Sequence, residues 1–381
     1  MAHRLFAEEH EALRQSVRRF VEKELAPHAE EWEEAQEFPR EVFERMGRLG
    51  FLGLRFPEEY GGSGGDYLAE TVLLEELSRC GSAGVAASIG AHISLGMAYV
   101  HAFGSEAQKK EYLTAGIAGK KISALAITEP NAGSDVASIA TTARRDGDGY
   151  VLNGSKIFIT NGYRADFVVV AAKTDPKAGH KGISLFLVDR GTPGFSTSRK
   201  LKKVGWQPSD TGELAFQDCC VAADKLLGQE NRGFYYLMAN LQWERLVMAL
   251  QAVSGAQQAL DMAIDYARQR QQFGQPIARF QVIRHKLADM ATSVEMARQL
   301  TYHALSLYVD GRPCLREVSM AKLAACEIAS RVADEAIQIH GGYGCMLEYP
   351  VQRIWRDARI GRIGGGTSEI MKEVICMTME L

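Results

Sequence analysis

The chain has 381 residues, of which 46% are hydrophobic and 24% charged, with a formal net charge of −3. That length buries a large core and accommodates two or three packed layers or subdomains. The small charge leaves no general electrostatic case for nucleic acid or an anionic membrane as partner, although a local basic patch can still hold an anionic cofactor.

Taken in chain order, Met1 to His10 is charged and lacks the apolar run of a signal peptide. Residues 1 to about 122 read as helices. Leu13, Val17, Phe20 and Val21 fall at helical spacing, and Pro27 and Pro39 mark turns or first-turn positions. The run Pro57 to Gly65 is a loop, and a second helical pattern passes through Leu73, Leu74 and Leu77. Gly84 to Phe103 carries no Asp, Glu, Lys or Arg and is just long enough to cross a bilayer. It is rich in Gly, Ala and Ser and contains His92 and His101, so a buried helix rather than a membrane span is expected.

The period then changes. Ile122–Ile127, Tyr150–Ile159, Phe167–Ala172, Ile183–Val188 and Leu214–Phe216 are short β-branched or aromatic runs separated by turns such as Asp146-Gly147-Asp148-Gly149 and Asn161-Gly162. They predict a small antiparallel sheet or barrel. From Gly233 the pattern is helical again, over about 233–270, 277–310, 315–340 and 367–379, as in an antiparallel bundle. The expected domains are 1–122, helical; 123–227, β; and 228–381, a helical bundle.

Seven cysteines are an odd number, and the adjacent Cys219 and Cys220 suit neither a disulfide framework nor a zinc ribbon. A reducing, cytoplasmic setting is expected. The histidines show no metal-binding spacing, and no Gly-x-Ser-x-Gly hydrolase motif occurs.

Several strings carry chemistry. Leu125 to Asp135 leaves a strand and enters a polar turn, where backbone N–H groups and hydroxyls grip a polar ring edge or a phosphate, or simply form an Asn/Gly/Ser turn. Lys156 to Gly162 is a strand ending in a turn, with Phe158 either in the core or covering a flat ligand. Arg268 to Gly274, with Phe280-Gln281, suits a diphosphate or a solvated helix end. On the helix from Gly233, the positions Leu237, Leu241, Glu244 and Met248 form one stripe, so Glu244 points at the core. A carboxylate there is either paired or has work to do, and burial should raise its pKa. Near the C-terminus lie Gln338 to Gly344, Arg356 to Ile360 and Gly364-Gly365-Gly366-Thr367-Ser368-Glu369. The first glycine cluster ends a helical pattern instead of following a strand, which argues against a dinucleotide-binding Rossmann turn.

These strings, with the order helices, β domain, helix bundle, resemble the acyl-CoA dehydrogenase family over essentially the whole chain. The resemblance implies an α+β, mainly α fold with an N-terminal helical domain, a middle antiparallel β domain and a C-terminal four-helix bundle. It implies FAD as cofactor, with Leu125, Ile127, Thr128, Phe158 and Thr160 at the flavin and Ser134 at flavin or substrate. Phe158 stands where the family often has Trp, losing the indole N–H and keeping the apolar surface. Arg270, Phe273 and Gln281 match pyrophosphate and adenine contacts supplied by a neighbouring subunit. Gln338, Gly341, Gly342, Thr367 and Glu369 belong to the same cofactor set. Ala91, Leu241, Arg245, Met248, Gly364, Gly365 and Gly366, with Ser134, are the implied substrate contacts.

Many family members carry the catalytic glutamate at the position of Gly365. The isovaleryl-CoA and long-chain branches instead carry it inside Glu-Arg-Leu on the long helix, and here that string is Glu244-Arg245-Leu246. The implied reaction is α,β-dehydrogenation of branched or medium-to-long acyl-CoA thioesters to trans-2-enoyl-CoA. Glu244 removes the α proton, and the Gly365 N–H and a flavin ribityl hydroxyl polarise the thioester carbonyl. The β hydrogen leaves as hydride to flavin N5, and electrons pass to electron-transfer flavoprotein. The expected assembly is a homotetramer. Two alternatives remain on sequence: an acyl-CoA oxidase or nitroalkane-oxidase-like enzyme using oxygen, and a non-enzymatic binding protein of the same fold.

Overall fold

The computed structural model describes residues 3–380. Helices come first: α1 (Glu8–Phe20), α2 (Ala29–Ala35), α3 (Glu41–Arg48) and α4 (Tyr67–Leu77). In α1, Glu8, Glu9 and Glu11 occupy the first turn and Arg18 and Arg19 the last, each sign at the favourable end of the helix dipole. Asp66 caps α4 by accepting from the Ala69 N–H at 2.8 Å.

The uncharged stretch is one continuous helix. It runs through α5 (Ala83–Gly90), a π turn over Ala91–Gly96 and α6 (Met97–Phe103). Of its most apolar window, 89% is buried within the protein, so it is a core helix, as its composition predicts. The short helices α7 (Glu106–Gln108) and α8 (Thr114–Ile117) follow.

The sheet has eight strands: β1 (Ser123–Ala126), β2 (Thr142–Asp146), β3 (Gly149–Thr160), β4 (Phe167–Lys173), β5 (Ile183–Asp189), β6 (Phe195–Lys200), β7 (Thr211–Ala222) and β8 (Leu226–Leu227). Seven lie in the order β6-β7-β3-β2-β4-β5-β8, and β1 joins beside β4. The expected antiparallel sheet is corrected in one respect, because β1 runs parallel to β4 and β2 meets β4 in parallel. The cause is the connection: the β2–β3 hairpin intervenes between β1 and β4, so the chain re-enters in the same direction.

Strands β4 and β5 are buried on both faces. Phe167, Val169, Ala171, Leu185 and Leu187 join the core shared with the helices, while Val168, Val170, Phe186 and Val188 fill a second core on the opposite face. This two-sided burial is why β4 reads as an unbroken Phe-Val-Val-Val-Ala-Ala run instead of alternating.

After β8 the chain enters α9 (Gly233–Gln269) and a small hairpin of β9 (Gln271–Gln272) and β10 (Gln275–Pro276). Then come α10 (Gln281–Val309), α11 (Leu315–His340), α12 (Val351–Gly361) and α13 (Ser368–Thr378). Helix α9 contributes Leu237, Trp243, Leu246 and Leu250 to the core shared with the N-terminal helices and the sheet. Its second half contributes Ala256, Leu260 and Ala263 to a core with α10 and α11. It is thus the element against which the rest is positioned.

Candidate active site

Glu244 sits where α9 is enclosed on all sides. Trp243, Glu244, Arg245, Leu246 and Val247 are all buried, so the stripe expected from spacing is too narrow a description of this turn. Glu244 forms no ion pair among the described residues. Its partners are neutral: Tyr99 Oη donates to Oε1 at 2.8 Å, and Asn240 Nδ2, one turn back on α9, donates to the same oxygen at 3.0 Å. Burial pushes the carboxyl above the ordinary carboxylate range, and the two donors and the Arg245 charge only partly oppose this. A structural pairing is therefore not what holds this group.

One turn further on, Met248 brings α9 against the C-terminal glycines. A Cβ built on Gly365 would lie 3.3 Å from Met248 Cγ, and one on Gly364 would lie 3.6 Å from Met248 Cε. Gly365 has φ +66° and Gly366 φ +101°, a conformation that glycine adopts without strain. The loop is pinned by the fully buried Lys322 of α11, which donates to the Gly366 carbonyl, and by Thr367, whose side chain caps α13 at the Ile370 N–H, 3.2 Å away. Among the described residues the Gly365 N–H donates to no protein acceptor. An unengaged amide and a buried carboxylate without a cationic partner are thus linked through Met248, which packs on Gly365 one turn from Glu244.

From Met248 an apolar cleft runs along α9 past Gln251, Ala252 and Gly255 to Gln258, walled by Ala83 and Ala86 of α5 and by Ala358 and Gly361 of α12. The substrate residue expected at Ala91 is displaced from this wall. It is buried inside the π turn, and Ala83 and Ala86, earlier on the same helix, line the cleft instead. Leu241 is half-buried and likewise is not among the lining residues.

The strings expected at the flavin are joined by a buried ion pair that the sequence reading passed over. Lys156 Nζ lies 2.7 Å from Glu129 Oε1 and also donates to the Ile127 carbonyl at 3.0 Å. Glu129 further accepts the N–H groups of Ala140 and Thr141, and the Ile157 N–H donates to the Thr128 carbonyl at 2.9 Å. Leu125, Ile127 and Thr128 are thereby fixed beside the strand that carries Phe158 and Thr160, with Ser134 exposed in the turn beyond. Phe158 falls in an irregular stretch of the β3–β7 ladder, has φ +61° and is 65% exposed. An aromatic face held out of the core in this way is a platform for a flat ring.

The remaining residues expected at the cofactor form a separate group. A second cleft gathers Arg270, His340, Gly341, Gly342 and Tyr343, with the Arg270 guanidinium over the Tyr343 ring at 5.5 Å. Side chains added at Gly341 or Gly342 would meet nothing within 4 Å, so the backbone there is open to close approach. Phe273, Gln281 and Gln338 are exposed nearby in chain order. Arg270 follows Glu244 by 26 residues of α9 and its cap, about 39 Å at helical rise.

Three family models match the chain: acyl-CoA dehydrogenase N-terminal domain over residues 7–120, middle domain over 124–219 and C-terminal domain over 231–380. The chain belongs to the acyl-CoA dehydrogenase family. It is 44% identical to the long-chain specific acyl-CoA dehydrogenase of Sus scrofa over 98% of this chain and 86% of that protein. It is 45% identical to the short-chain specific enzyme of Homo sapiens over 97% of this chain and 89% of that one. The crystal structure of an acyl-CoA dehydrogenase from Geobacillus kaustophilus superposes with a TM-score of 0.96 at 44% identity, covering 100% of both chains. The enzyme is thus an FAD-dependent acyl-CoA dehydrogenase. The exposed platform at Phe158 and the open glycine cleft beside Arg270 both fit that cofactor.

Tyr99 and Asn240 escaped the sequence reading. Asn240 is four residues before Glu244 on a helix and was open to it; Tyr99 is 145 residues away and left no local signal.

Proposed function

We propose that Glu244 is the base that takes the α proton of an acyl-CoA thioester, while the Gly365 N–H polarises the thioester carbonyl. The observation that carries this is Glu244 itself: buried, without a cationic partner, and one helical turn from the residue that packs on Gly365. FAD, when bound, supplies the acceptor for the β hydrogen. Leu125, Ile127, Thr128, Ser134, Phe158, Thr160, Thr367 and Glu369 of one chain, with Arg270, Phe273, Gln281, Gln338, Gly341 and Gly342 of a second, would hold it. The assembly, by the family resemblance, we take to be a homotetramer. Arg245, Met248, Gly364 and Gly366 line the reacting end of the acyl chain. The domain limits we assign are 1–122, 123–227 and 228–381, the setting cytoplasmic, and the electron acceptor electron-transfer flavoprotein.

The cleft supports a reading of the acyl group. Met248 to Gln258 spans about 15 Å of α9, and the small side chains opposite leave it open. Each methylene buried there is worth about 0.8 kcal/mol, which favours branched and medium-to-long chains. Anaerobic bleaching of the flavin by a panel of acyl-CoAs tests this. Octanoyl-CoA and isovaleryl-CoA should bleach it more readily than butyryl-CoA, and a marked preference for butyryl-CoA over both contradicts the reading.

A further inference from the structure

The base has only one free oxygen. Both donors converge on Glu244 Oε1, leaving Oε2 without a protein partner among the described residues. The donors are themselves fixed by an irregular helix. The π turn Ala91–Gly96 precedes α6, and a π turn shifts the register of every residue after it. Tyr99, on the first turn of α6, is thereby brought fully buried against α9. Within the π turn the Ser94 carbonyl accepts a second hydrogen bond from Asn240 Nδ2 at 3.2 Å, so Asn240 ties the turn to the carboxylate. The Ser94 hydroxyl in turn donates to the buried Glu70, which also accepts from Trp243 Nε1 at 2.9 Å. The π turn is thus tied to α9 directly through Asn240 and, by way of Glu70, through Trp243.

Resting on the assignment of Glu244 as base, we propose that Tyr99 and Asn240 are positioning residues that clamp Oε1 and present Oε2 alone to the substrate. A lone acceptor oxygen meets the α proton in one orientation, which preserves the geometric advantage of a positioned base. The clamp also sets the charge state. The titratable and charged groups around Glu244 are Tyr99 on α6 and Arg245 on α9, then Lys322 of α11 beyond Arg245 and Glu70 of α4 behind Trp243. Tyr99 stays protonated, because burial and the neighbouring carboxylate hold its hydroxyl well above its usual range. It therefore donates at every working pH, favouring the ionised form of Glu244.

The test is single-turnover flavin reduction by octanoyl-CoA as a function of pH, in Tyr99→Phe and Asn240→Ala holoenzymes. Because a hydrogen bond to a charged group favours the charged form, the rising limb of the profile should move up by about one to two pH units in Tyr99→Phe. At pH values below the wild-type limb reduction should fall about ten- to a hundredfold, and it should largely recover above the shifted limb. Asn240→Ala should move the limb in the same direction, and a residue that only fills space moves neither. Glu244→Gln separates the two layers of the argument. If it is inactive while both other variants keep the wild-type limb, the clamp is wrong and the base assignment stands. If Glu244→Gln reduces flavin at the wild-type rate, the base assignment fails and the clamp with it.

Discussion

Glu129→Gln should loosen the loop proposed to contact the flavin. The carboxylate takes three hydrogen bonds, from Lys156 Nζ and from the Ala140 and Thr141 N–H groups, and it is 7% exposed. A glutamine keeps one acceptor oxygen and turns an –NH2 toward a donor, so either a backbone N–H or the ammonium loses its partner. Removing one member of a buried pair costs about 3–5 kcal/mol, because the other charge is left uncompensated. A loss of that size lowers Tm by on the order of 10 °C in a unit of this size.

The pH dependence has a definite sign. Burial already pulls Lys156 down to about 8 against the pull of Glu129, and without Glu129 it falls further. A lysine whose folded pKa is depressed gains stability as pH rises, since the unfolded chain then binds more protons. The deficit of the variant should therefore be largest between the carboxylate range and neutral pH, narrowing as pH approaches about 8 and again in acid, where the wild-type Glu129, held below its ordinary range, is itself protonated. Thermal melts across pH, with flavin retention measured after gel filtration, check both points. A variant that melts with the wild type and keeps its flavin would show that the pair does not hold the loop.

Phe158→Ala should leave the melting temperature of the apoprotein nearly unchanged, because the ring is 65% exposed, yet weaken flavin retention; unchanged retention by equilibrium dialysis would remove Phe158 from the cofactor site. Gly365→Glu in a Glu244→Gln background should restore part of the flavin reduction, biased toward shorter or unbranched substrates because the new side chain takes space beside Met248. It should also cost roughly 1–2 kcal/mol, since φ is +66° there; recovery favouring the longest chains would contradict the placement of the pocket.

Much of this was legible in the chain before the coordinates. The helical segments from Gly233 to His340 follow from period alone, and the structure moves their ends by only a few residues. Buried strands such as β4 and β5 announce themselves by composition. β2 and β6 do not: Thr142 to Asp146 and Phe195 to Lys200 are charged and largely exposed, and become strands only because β3 and β7 pair with them. Helix α12 is not among the elements expected from period, although buried Asp357 takes the backbone N–H groups of both Ala83 and Trp206. Glu244 was legible as a buried acid. Its two donors were not equally so, since the approach of Tyr99 depends on a π turn that leaves no mark in residue spacing.

The central claim is that Glu244, and not a residue on the C-terminal glycine loop, removes the proton. Glu244→Gln keeps the length of the side chain and can still accept from Tyr99 and Asn240, but it cannot take a proton. The decisive measurement is the anaerobic rate of flavin reduction in a single turnover, with FAD content and acyl-CoA affinity determined on the same preparation. The account predicts near wild-type cofactor and substrate binding with a rate at least about 10²-fold lower. Reduction at the wild-type rate would make Glu244 a structural residue and contradict the account.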